Sequence, residues 1–479
     1  MKILGDTLPR RFKAKASGAI TAGKPLIVET DGDVAQVAGV SEGTGSAVVF
    51  ETGTTNATSV AYDSNAQKVV VVYYDGGNSN YGTAVVGTVS GTSISFGTPV
   101  VFESATTLES TIAYDVNAQK VVIAYKDGGN SDYGTAIVGT VSGTSISFGT
   151  AATYESSGVN NPKMAYDVNA QKHLITYRIS HPNDYGYGIV GTVSGTSISF
   201  GSRADLNTSG FFSHTAMAYD ANAQKTVVAY RDGGNSNYGT ARVATISGTS
   251  VSFGTAAVFE SAGIQSTGAG YDSTAQKVVI GYRDTGNSNK GTAIVGTISG
   301  TSISFGTAVV FEGGASRVIN VVYDASADKT VISYRDDDNS EHGTLVVGTV
   351  SGTSISFGSA IVFEAAAIAG LGAAYDSSEE RTVLTYKDEG NSNQGTGIVF
   401  ANESTNLTSE NYIGIAEYAA ADTETATVFI KGGVSPDQSS LTPGQTYFVQ
   451  TDGTIGTSAG TPSVTAGTAV TSTKLIVKG

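Results

Sequence analysis

Side chains able to bind a ligand are concentrated in two neighbouring segments of the sequence. The segments are RISHPNDYGYG, Arg178–Gly188, and LNTSGFFSH, Leu206–His214, and three of the four histidines lie in or near them. Exposed aromatic rings beside hydrogen-bonding groups suit sugar faces or protein surfaces, because they bury much area at little entropic cost. The two segments predict a ligand-binding site formed by His181, Asp184, Tyr185, Tyr187, Phe211, Phe212 and His214.

The same residues also have a structural interpretation. In it, Phe211 and Phe212 either close the mouth of a central channel or pack between repeats, and His181, which precedes Pro182, is a turn residue. Both interpretations remain open at the level of sequence.

Hydrolytic chemistry has less support than binding. Glycosidic hydrolysis needs two carboxylates about 5–10 Å apart in unlike environments. The acids worth testing are Asp184, Asp205, Asp337 and Asp338, and no motif pairs them. The chain has no cysteine and no tryptophan, and it lacks a nucleophile elbow, a P-loop and a histidine-rich zinc motif. We predict that the protein is not an enzyme and that it has neither a cofactor nor a catalytic metal.

Other polar residues recur at a fixed interval, which indicates architecture. An aspartate follows a tyrosine seven times, at Asp63, Asp115, Asp167, Asp220, Asp272, Asp324 and Asp376. A binding or catalytic group is usually needed once, whereas a structural group is needed in every repeat. We expect these carboxylates to accept backbone N–H hydrogen bonds in the turn that follows.

Two recurrent features keep a functional alternative. The loop DGGNSDYGT, with Asp127, Asn130 and Asp132, is either a polar turn or a calcium site of hard oxygen ligands. A set of basic residues either grips an acidic sugar or pairs with local acids. Its members are Lys126, Arg178, Arg231, Arg283, Arg335 and Lys387.

A repeat of about 52 residues must position all of these side chains. The Tyr-Asp pairs are spaced 52, 52, 53, 52, 52 and 52 residues apart, and GTVSGTSISFG returns in nearly the same form six times. Four short β segments per period are typical of a propeller blade, so the sequence predicts an all-β, seven-bladed β-propeller. In one blade the predicted strands a to d are Thr111–Tyr114, Val121–Tyr125, Thr135–Val141 and Ile146–Glu155.

The two ends of the repeat region predict how the propeller closes. The motif VVFE, which ends strand d elsewhere, occurs first at Val48–Glu51, before any Tyr-Asp pair. The seventh unit, Tyr375–Phe400, has no SISFG segment. We therefore expect strand d of the last blade to come from about Gly45–Glu51, which removes an exposed sheet edge.

A second, smaller domain is predicted from both termini. ITAGKPLIVETDGDV, Ile20–Val34, and LTPGQTYFVQTDGTI, Leu441–Ile455, match in register, and each contains a strand that ends in a Thr-Asp-Gly hairpin turn. We predict a pseudo-duplicated β domain of residues 1–40 and 405–479, with the propeller inserted as residues 41–404.

Composition excludes two classes of partner. The net charge of −15 disfavours nucleic acid and anionic membranes, whose recognition needs clustered Lys and Arg. No stretch approaches the roughly 18 apolar residues of a membrane span, so membrane insertion is not expected. We also expect no Sec signal at the N-terminus, where only Ile3 and Leu4 precede Gly5.

Several segments resemble marine bacteriophage virion structural proteins of the tail-fibre or head-fibre type. They are Ala16–Val34, Tyr230–Ala241, Glu410–Gly433 and Ser439–Gly479. The resemblance implies a virion-surface protein, made in the host cytoplasm, whose small β domain binds other virion proteins while the propeller is exposed. It supplies no catalytic residues, and analogy with phage fibres implies a homo-oligomer, a trimer.

Three functions remain open after this comparison. The first is a fibre or spike component whose propeller binds a host surface glycan or protein. The second is a capsid decoration or head-fibre protein without a receptor role. The third is a propeller glycosidase or lectin unrelated to virions.

Overall fold

The chain folds as two separate all-β bodies. The computed structural model describes residues 10–179, 183–460 and 462–478, of which 65% form strands. Within these ranges the only helical segment is a 3₁₀ turn, Gly128–Asn130, and no helix is long and apolar enough to span a membrane. One body, the terminal domain, combines residues 1–42 and 402–479, and the other, the repeat domain, is 43–401. The predicted boundaries, 40/41 and 404/405, lie close to this division.

The strands alternate with short turns along the whole chain. The terminal domain begins with β1 (Arg11–Lys15), β2 (Pro25–Val28), β3 (Val34–Gln36) and β4 (Gly39–Val40). The repeat domain begins with β5 (Gly43–Thr44), β6 (Val48–Glu51), β7 (Thr55–Asp63), β8 (Lys68–Asp75), β9 (Tyr81–Ser90), β10 (Ser93–Phe96), β11 (Val100–Asp115), β12 (Lys120–Asp127), β13 (Tyr133–Ser142), β14 (Ser145–Phe148), β15 (Ala152–Asp167), β16 (Lys172–Ile179), β17 (Tyr185–Ser194), β18 (Ser197–Phe200) and β19 (Ala204–Asn207).

The second half of the repeat domain has the same succession of strands. Its strands are β20 (Phe212–Asp220), β21 (Lys225–Asp232), β22 (Tyr238–Ser247), β23 (Ser250–Phe253), β24 (Ala257–Asp272), β25 (Lys277–Asp284), β26 (Lys290–Ser299), β27 (Ser302–Phe305), β28 (Val309–Asp324), β29 (Lys329–Asp336), β30 (His342–Ser351), β31 (Ser354–Phe357), β32 (Ile361–Asp376), β33 (Arg381–Asp388) and β34 (Gln394–Ala401). The terminal domain resumes with β35 (Ser404–Thr405), β36 (Tyr412–Ala416), β37 (Thr425–Phe429), β38 (Val434–Ser435), β39 (Thr446–Val449), β40 (Ile455–Gly456), β41 (Val464–Ala469) and β42 (Leu475–Val477).

The terminal domain contains the two-stranded ladder of β4 and β35 and two five-stranded sheets that both contribute to one buried cluster. Their strand orders are β1-β37-β36-β2-β3 and β38-β42-β41-β39-β40. The two matching sequence segments form equivalent hairpins, β2–β3 and β39–β40, and Gly32 and Gly453 supply the positive φ of the turns. Ile27 and Val449 lie in the same buried cluster. Both termini therefore contribute to a common hydrophobic core.

The repeat domain contains seven copies of an antiparallel unit. Each unit has a first strand that ends in the Tyr-Asp pair, a middle strand and a third strand; the triplets are β7–β9, β11–β13, β15–β17, β20–β22, β24–β26, β28–β30 and β32–β34. The middle strands are buried on both faces, as β12 illustrates with five consecutive fully buried residues, Val121–Tyr125. A strand that is apolar on both faces needs cover on both sides, so each unit packs against its neighbours.

One predicted strand boundary was wrong. Strands d and a, expected as separate elements joined by a loop, form single 16-residue strands β11, β15, β24, β28 and β32. The early part of β11 pairs with β9 of the preceding unit, and its end pairs with β12 of its own unit. Register shifts let the extended chain pass from one sheet to the next without a loop. Only 208–211, between β19 and β20, and 52–54, between β6 and β7, interrupt this pattern.

The N-terminal strand β6 pairs with the third strand of the last unit. Glu51 lies opposite Gly395, and Val49 lies opposite Thr396. The first and last units also contact each other, since the Thr58 hydroxyl donates to the carbonyls of Gly370 and Thr385. A buried cluster contains side chains from both of these units.

Two recurrent hydrogen bonds join neighbouring units. A tyrosine hydroxyl on the middle strand donates to a glutamate of the strand that completes the preceding unit, at 2.8–3.2 Å; the pairs are Tyr73–Glu51, Tyr125–Glu103, Tyr177–Glu155, Tyr282–Glu260, Tyr334–Glu312 and Tyr386–Glu364. At the seventh place Asn207 replaces glutamate and instead donates to Asp232. The tyrosine of a Tyr-Asp pair also accepts from the preceding unit's turn, as Tyr114 does from the N–H of Asn65.

The predicted role of the repeated aspartates is confirmed. Asp115 accepts from the N–H groups of Asn117 and Ala118 at 3.0 and 2.8 Å. The equivalent aspartates of the other six units accept from their own turns in the same way. These side chains are buried, and each stabilises the turn that follows it.

The tyrosine–glutamate bond predicts a stability difference between units. Replacing Tyr73 with Phe should lower the free energy of unfolding by about 1–3 kcal/mol, because the charged Glu51 loses its donor. Tyr230→Phe is the matched control, since the Tyr230 hydroxyl has no hydrogen-bond partner among the described residues. Denaturant unfolding of both variants measures the difference; equal losses would contradict the assigned role of the bond.

Candidate functional site

The first strand of every unit contains a bulge at the same place. Its pairing with the middle strand shifts register, for example between Leu108 and Thr111. In six units a residue at the shift has a left-handed backbone, with φ between 45° and 55°: Glu109, Asn161, His214, Ser266, Val318 and Gly370. These residues follow each other at the repeat interval of 52 or 53. We call them the bulge residues.

The bulge residues differ in chemistry although their backbones agree. A left-handed turn favours Gly or Asn, yet the set also contains an acid, an imidazole and a β-branched valine. By contrast, the left-handed position before each middle strand is glutamine in five units, as at Gln67 and Gln119. The bulge residues share a strained backbone conformation but have different side chains. The units therefore differ from each other at the bulges, and such strained positions are often functional.

The bulges of five units line a cavity of about 270 Å³. We call it the first-strand cavity. Hydroxyl and amide side chains, among them Ser59, Ser110 and Asn161, alternate with apolar walls from Pro162 and Leu371. The cavity is therefore mixed in character, as small-ligand sites are, and it lies near the lower end of their usual size.

Lys163 and Glu109 are the charged residues of this cavity. The Lys163 side chain is exposed to the cavity but enclosed by the surrounding strands, and this burial lowers the pKa of its ammonium group while Glu109 opposes the change. Glu109 accepts a hydrogen bond from the backbone N–H of Asn161. Lys163 has no ion-pair or hydrogen-bond partner within the described part of the chain.

The basic residues singled out in the sequence lie beside the bulges. Lys126 is opposite Leu108, and Arg231 is opposite Ser213, each one residue before a bulge residue. Most of the set pairs locally; the ion pairs are Lys126–Asp132, Arg178–Asp184, Arg283–Asp337, Arg335–Asp337 and Lys387–Glu389. Arg231 has no acidic partner among the described residues, and its Nε is buried without a hydrogen bond.

Three arginines converge on one carboxylate. Arg283, Arg317 and Arg335 approach Asp337 with N–O distances of 3.4, 2.8 and 2.9 Å. Burial and the two neighbouring cations lower the pKa of Arg283. The guanidinium groups are occupied by Asp337, so this cluster is a structural ion network.

Part of the site predicted between 178 and 214 does come together. The Arg178 guanidinium lies 4.2 Å from the centre of the Phe211 ring and 3.5 Å from the Asp184 carboxylate. The Phe211 side chain is 42% exposed. These three residues form a cation–π group in which Arg178 is largely buried and the Phe211 ring is exposed to a ligand.

The predicted tyrosines have different surroundings. Arg203 stacks on the Tyr187 ring at 4.6 Å and pairs with Glu155 at 3.0 Å. Tyr185 is half-buried at the start of β17, paired with Ile179. His181 lies outside the described residues.

Phe212 and His214 do not belong to an exposed cluster. Phe212 is fully buried, with its ring 5.2 Å from that of Tyr230, and it fills the space over Gly186. In the other units an aromatic of the completing strand covers this glycine, as Phe102 covers Gly82. Leu206 occupies that strand position here, so Phe212 supplies the missing ring and cannot serve as a surface ligand contact.

His214 is a bulge residue. Its Nδ1 accepts from the N–H of Ser266 at 3.3 Å. Burial, together with the charge of Arg231, lowers the pKa of His214 to about 4. His214 is therefore neutral near pH 7 and contacts the next unit.

Neither paired catalytic acids nor a metal cluster appears in the described ranges. Asp337 is held by arginines, Asp338 accepts from the N–H of Ala315, and Asp205 lies exposed on β19. The loop aspartates, such as Asp284 with Gly286 and Asn287, accept from their own backbone. No group of three or more His, Asp or Glu side chains there is placed to hold a metal ion.

Sequence reasoning missed the first-strand cavity. Lys163, Asn161 and Glu109 belong to the strand that was predicted to begin only at Thr111 and its equivalents. The available signal was the disagreement between units in the residues just before each Tyr-Asp pair, for example VNNPKMAYD against TLESTIAYD.

Comparison with known proteins identifies the fold. No family model matches the chain, and no curated protein matches it. The solved structure of the BP39L lectin from Burkholderia pseudomallei is similar, with a TM-score of 0.54, 10% identity and coverage of 75% of this chain and 99% of the lectin. A protein of unknown function from Dyadobacter fermentans is also similar (TM-score 0.47, 11% identity, 75% and 99% covered). So is a leech intramolecular trans-sialidase (0.43, 9%, 75% and 69%).

The likeness to the lectin concerns architecture alone, because the identity is low. The chain has an all-β, propeller-like fold.

Adjacent phenylalanines give a first test of the site. Phe212→Ala should destabilise the protein by about 3–5 kcal/mol, because it empties a fully buried position. Phe211→Ala, the matched control, should cost about 1 kcal/mol or less, because it loses only a partly exposed cation–π contact. Denaturant unfolding measures both; a stable Phe212→Ala protein would contradict its assignment to the core.

His214 predicts a pH dependence of stability. The pKa of His214 is lower in the folded protein than in the unfolded chain, so the unfolded chain binds a proton first as the pH falls. The stability contributed by the neutral imidazole is therefore fully present above pH 6.5 and is lost as the pH falls towards about 4. His214→Asn keeps an acceptor and a residue that tolerates the left-handed backbone, as Asn161 does. The variant should lose about 2–3 kcal/mol less between pH 7 and pH 4 than the unaltered protein. Unfolding at both pH values tests this, and identical losses would contradict it.

Proposed function

We propose that this chain is a structural protein of a bacteriophage virion, a fibre or spike component that displays its repeat domain and binds a host-surface glycan or protein. The observation that carries the binding role is the contrast within the units. Turns and inter-unit bonds repeat almost without change, whereas the bulge residues around an open, polar cavity differ from unit to unit. We infer that the repeated residues maintain the fold and that the bulge residues, which are not repeated, recognise the ligand.

The repeat domain is proposed to be a closed seven-bladed propeller. Strand β6 would be the outer strand of the last blade, in agreement with its pairing to β34. The Tyr73–Glu51 bond then joins the closing strand to the first blade, and Thr58 joins the first blade to the last. A closed array leaves no blade free to separate without loss of strand pairing.

The terminal domain is proposed to attach the protein to other virion proteins. Its segments carry most of the resemblance to virion proteins, and both chain ends contribute to one of its buried clusters. The first-strand bulges all belong to the repeat domain, which leaves recognition and attachment on separate bodies. A homo-oligomer, a trimer by analogy with phage fibres, and a location on the virion surface are parts of the same proposal.

A binding role is favoured over an enzymatic one. Glycosidic hydrolysis requires a pair of available carboxylates. Asp337 instead forms ion pairs with arginines, and Asp338 accepts a hydrogen bond from the backbone N–H of Ala315. We propose that the protein has no catalytic activity and no cofactor.

The test has two measurements. Labelled antibody against the chain should decorate purified phage particles in negative-stain electron microscopy, and the purified full-length chain should reduce adsorption of those particles to host cells. Decoration without competition would favour a capsid decoration or head-fibre role. Particles without label would refute the virion assignment, and turnover of host polysaccharide by the purified chain would refute the non-enzymatic one.

A further inference from the structure

Part of the polar lining of the first-strand cavity makes no hydrogen bond within the protein. Ser59, Ser110 and the Asn161 side chain have no hydrogen-bond partner among the described residues, and neither does Lys163. Four unengaged polar side chains around one cavity are donors and acceptors for a ligand.

The shape and walls of the cavity select the kind of ligand. A volume of about 270 Å³ admits one small, compact molecule. Pro162, Val318 and Leu371 provide apolar surface between the polar groups. A sugar ring has this alternation, with hydroxyl groups at its rim and C–H groups on its faces.

The charges around the cavity select an anion. Lys163 lines the cavity without an ion pair or hydrogen bond within the described residues. Glu109 is the other charge of the cavity; it attracts Lys163 without contacting it, and it already accepts a hydrogen bond from the backbone N–H of Asn161. An ammonium group that is partly withdrawn from water attracts a carboxylate more strongly than one on an open surface.

We propose that the first-strand cavity binds a single carboxylate-bearing sugar unit, with Lys163 pairing with the carboxylate and Asn161, Ser110 and Ser59 bonding to the ring hydroxyls. This deepens the proposed function and rests on it in one respect, namely that the sugar belongs to a host-surface polysaccharide. The site differs from the exposed Arg178–Phe211 group, which offers an aromatic face on a loop.

The experiment is titration of the purified full-length chain with glucuronic acid, followed by NMR or calorimetry. Glucose and acetate are the matched probes, one without the charge and the other without the ring. Glucuronic acid should bind at least about tenfold more tightly than either, because only it satisfies both the ammonium group and the polar lining. Equal binding of acetate, equal binding of glucose, or no binding of glucuronic acid would each overturn the proposal.

Three variants locate the binding in the cavity. Lys163→Gln should weaken glucuronic acid binding about tenfold or more, and Lys163→Arg, which keeps the charge, should weaken it much less. Lys172→Gln is the control, because Lys172 lies in the same unit at the start of β16 and does not line the cavity. Thermal unfolding of each variant verifies the fold, and undiminished binding by a folded Lys163→Gln protein would overturn the assignment.

The outcome is separable from that of the proposed function. Sugar binding that depends on Lys163 in a protein absent from phage particles would refute the virion role and leave the site standing. Competition for adsorption that is unaffected by Lys163→Gln would refute the site and leave the virion role standing.

Discussion

Burial of the middle strands on both faces is the constraint on which the repeat domain depends. Val121 and Val122 point to opposite faces of one sheet and are both fully buried. An isolated unit would leave both of these faces in water, so each unit depends on its neighbours for stability. Apolar packing alone does not fix the alignment of adjacent units. The tyrosine–glutamate hydrogen bonds are directional and therefore align each unit with its neighbour.

Much of the framework could be predicted because it is local and repeated. The period, the aspartate-stabilised turns and the two Thr-Asp-Gly hairpins follow from residue types at short range. The continuous 16-residue strands could not be predicted, because they depend on where the chain changes its pairing partner. Phe212 was assigned to a surface site for a related reason: its burial follows from Leu206, which lacks the aromatic ring that other units place over the same glycine.

The candidate site was harder to read than the fold. Glutamate, histidine and valine give no sign of a left-handed backbone, and yet Glu109, His214 and Val318 share one conformation. Their differences look like ordinary divergence between repeats until the structure places five of the bulge-bearing strands, with Glu109, Asn161 and Val318 among them, around one cavity. The framework holds the backbone in a costly conformation and leaves the side chain free to vary, which separates the demands of folding from those of recognition.

The pairing of β6 with β34 also constrains how a protein of this kind changes length during evolution. Strand β6 lies before the first unit in the sequence and pairs with β34 of the last unit in a fixed register. Loss or gain of a few residues within the array would displace that register, whereas removal or duplication of a complete 52-residue period would preserve the junction. Genetic change in copy number should therefore proceed in whole units, and each added or deleted unit would widen or narrow the array and exchange one bulge residue at the same time.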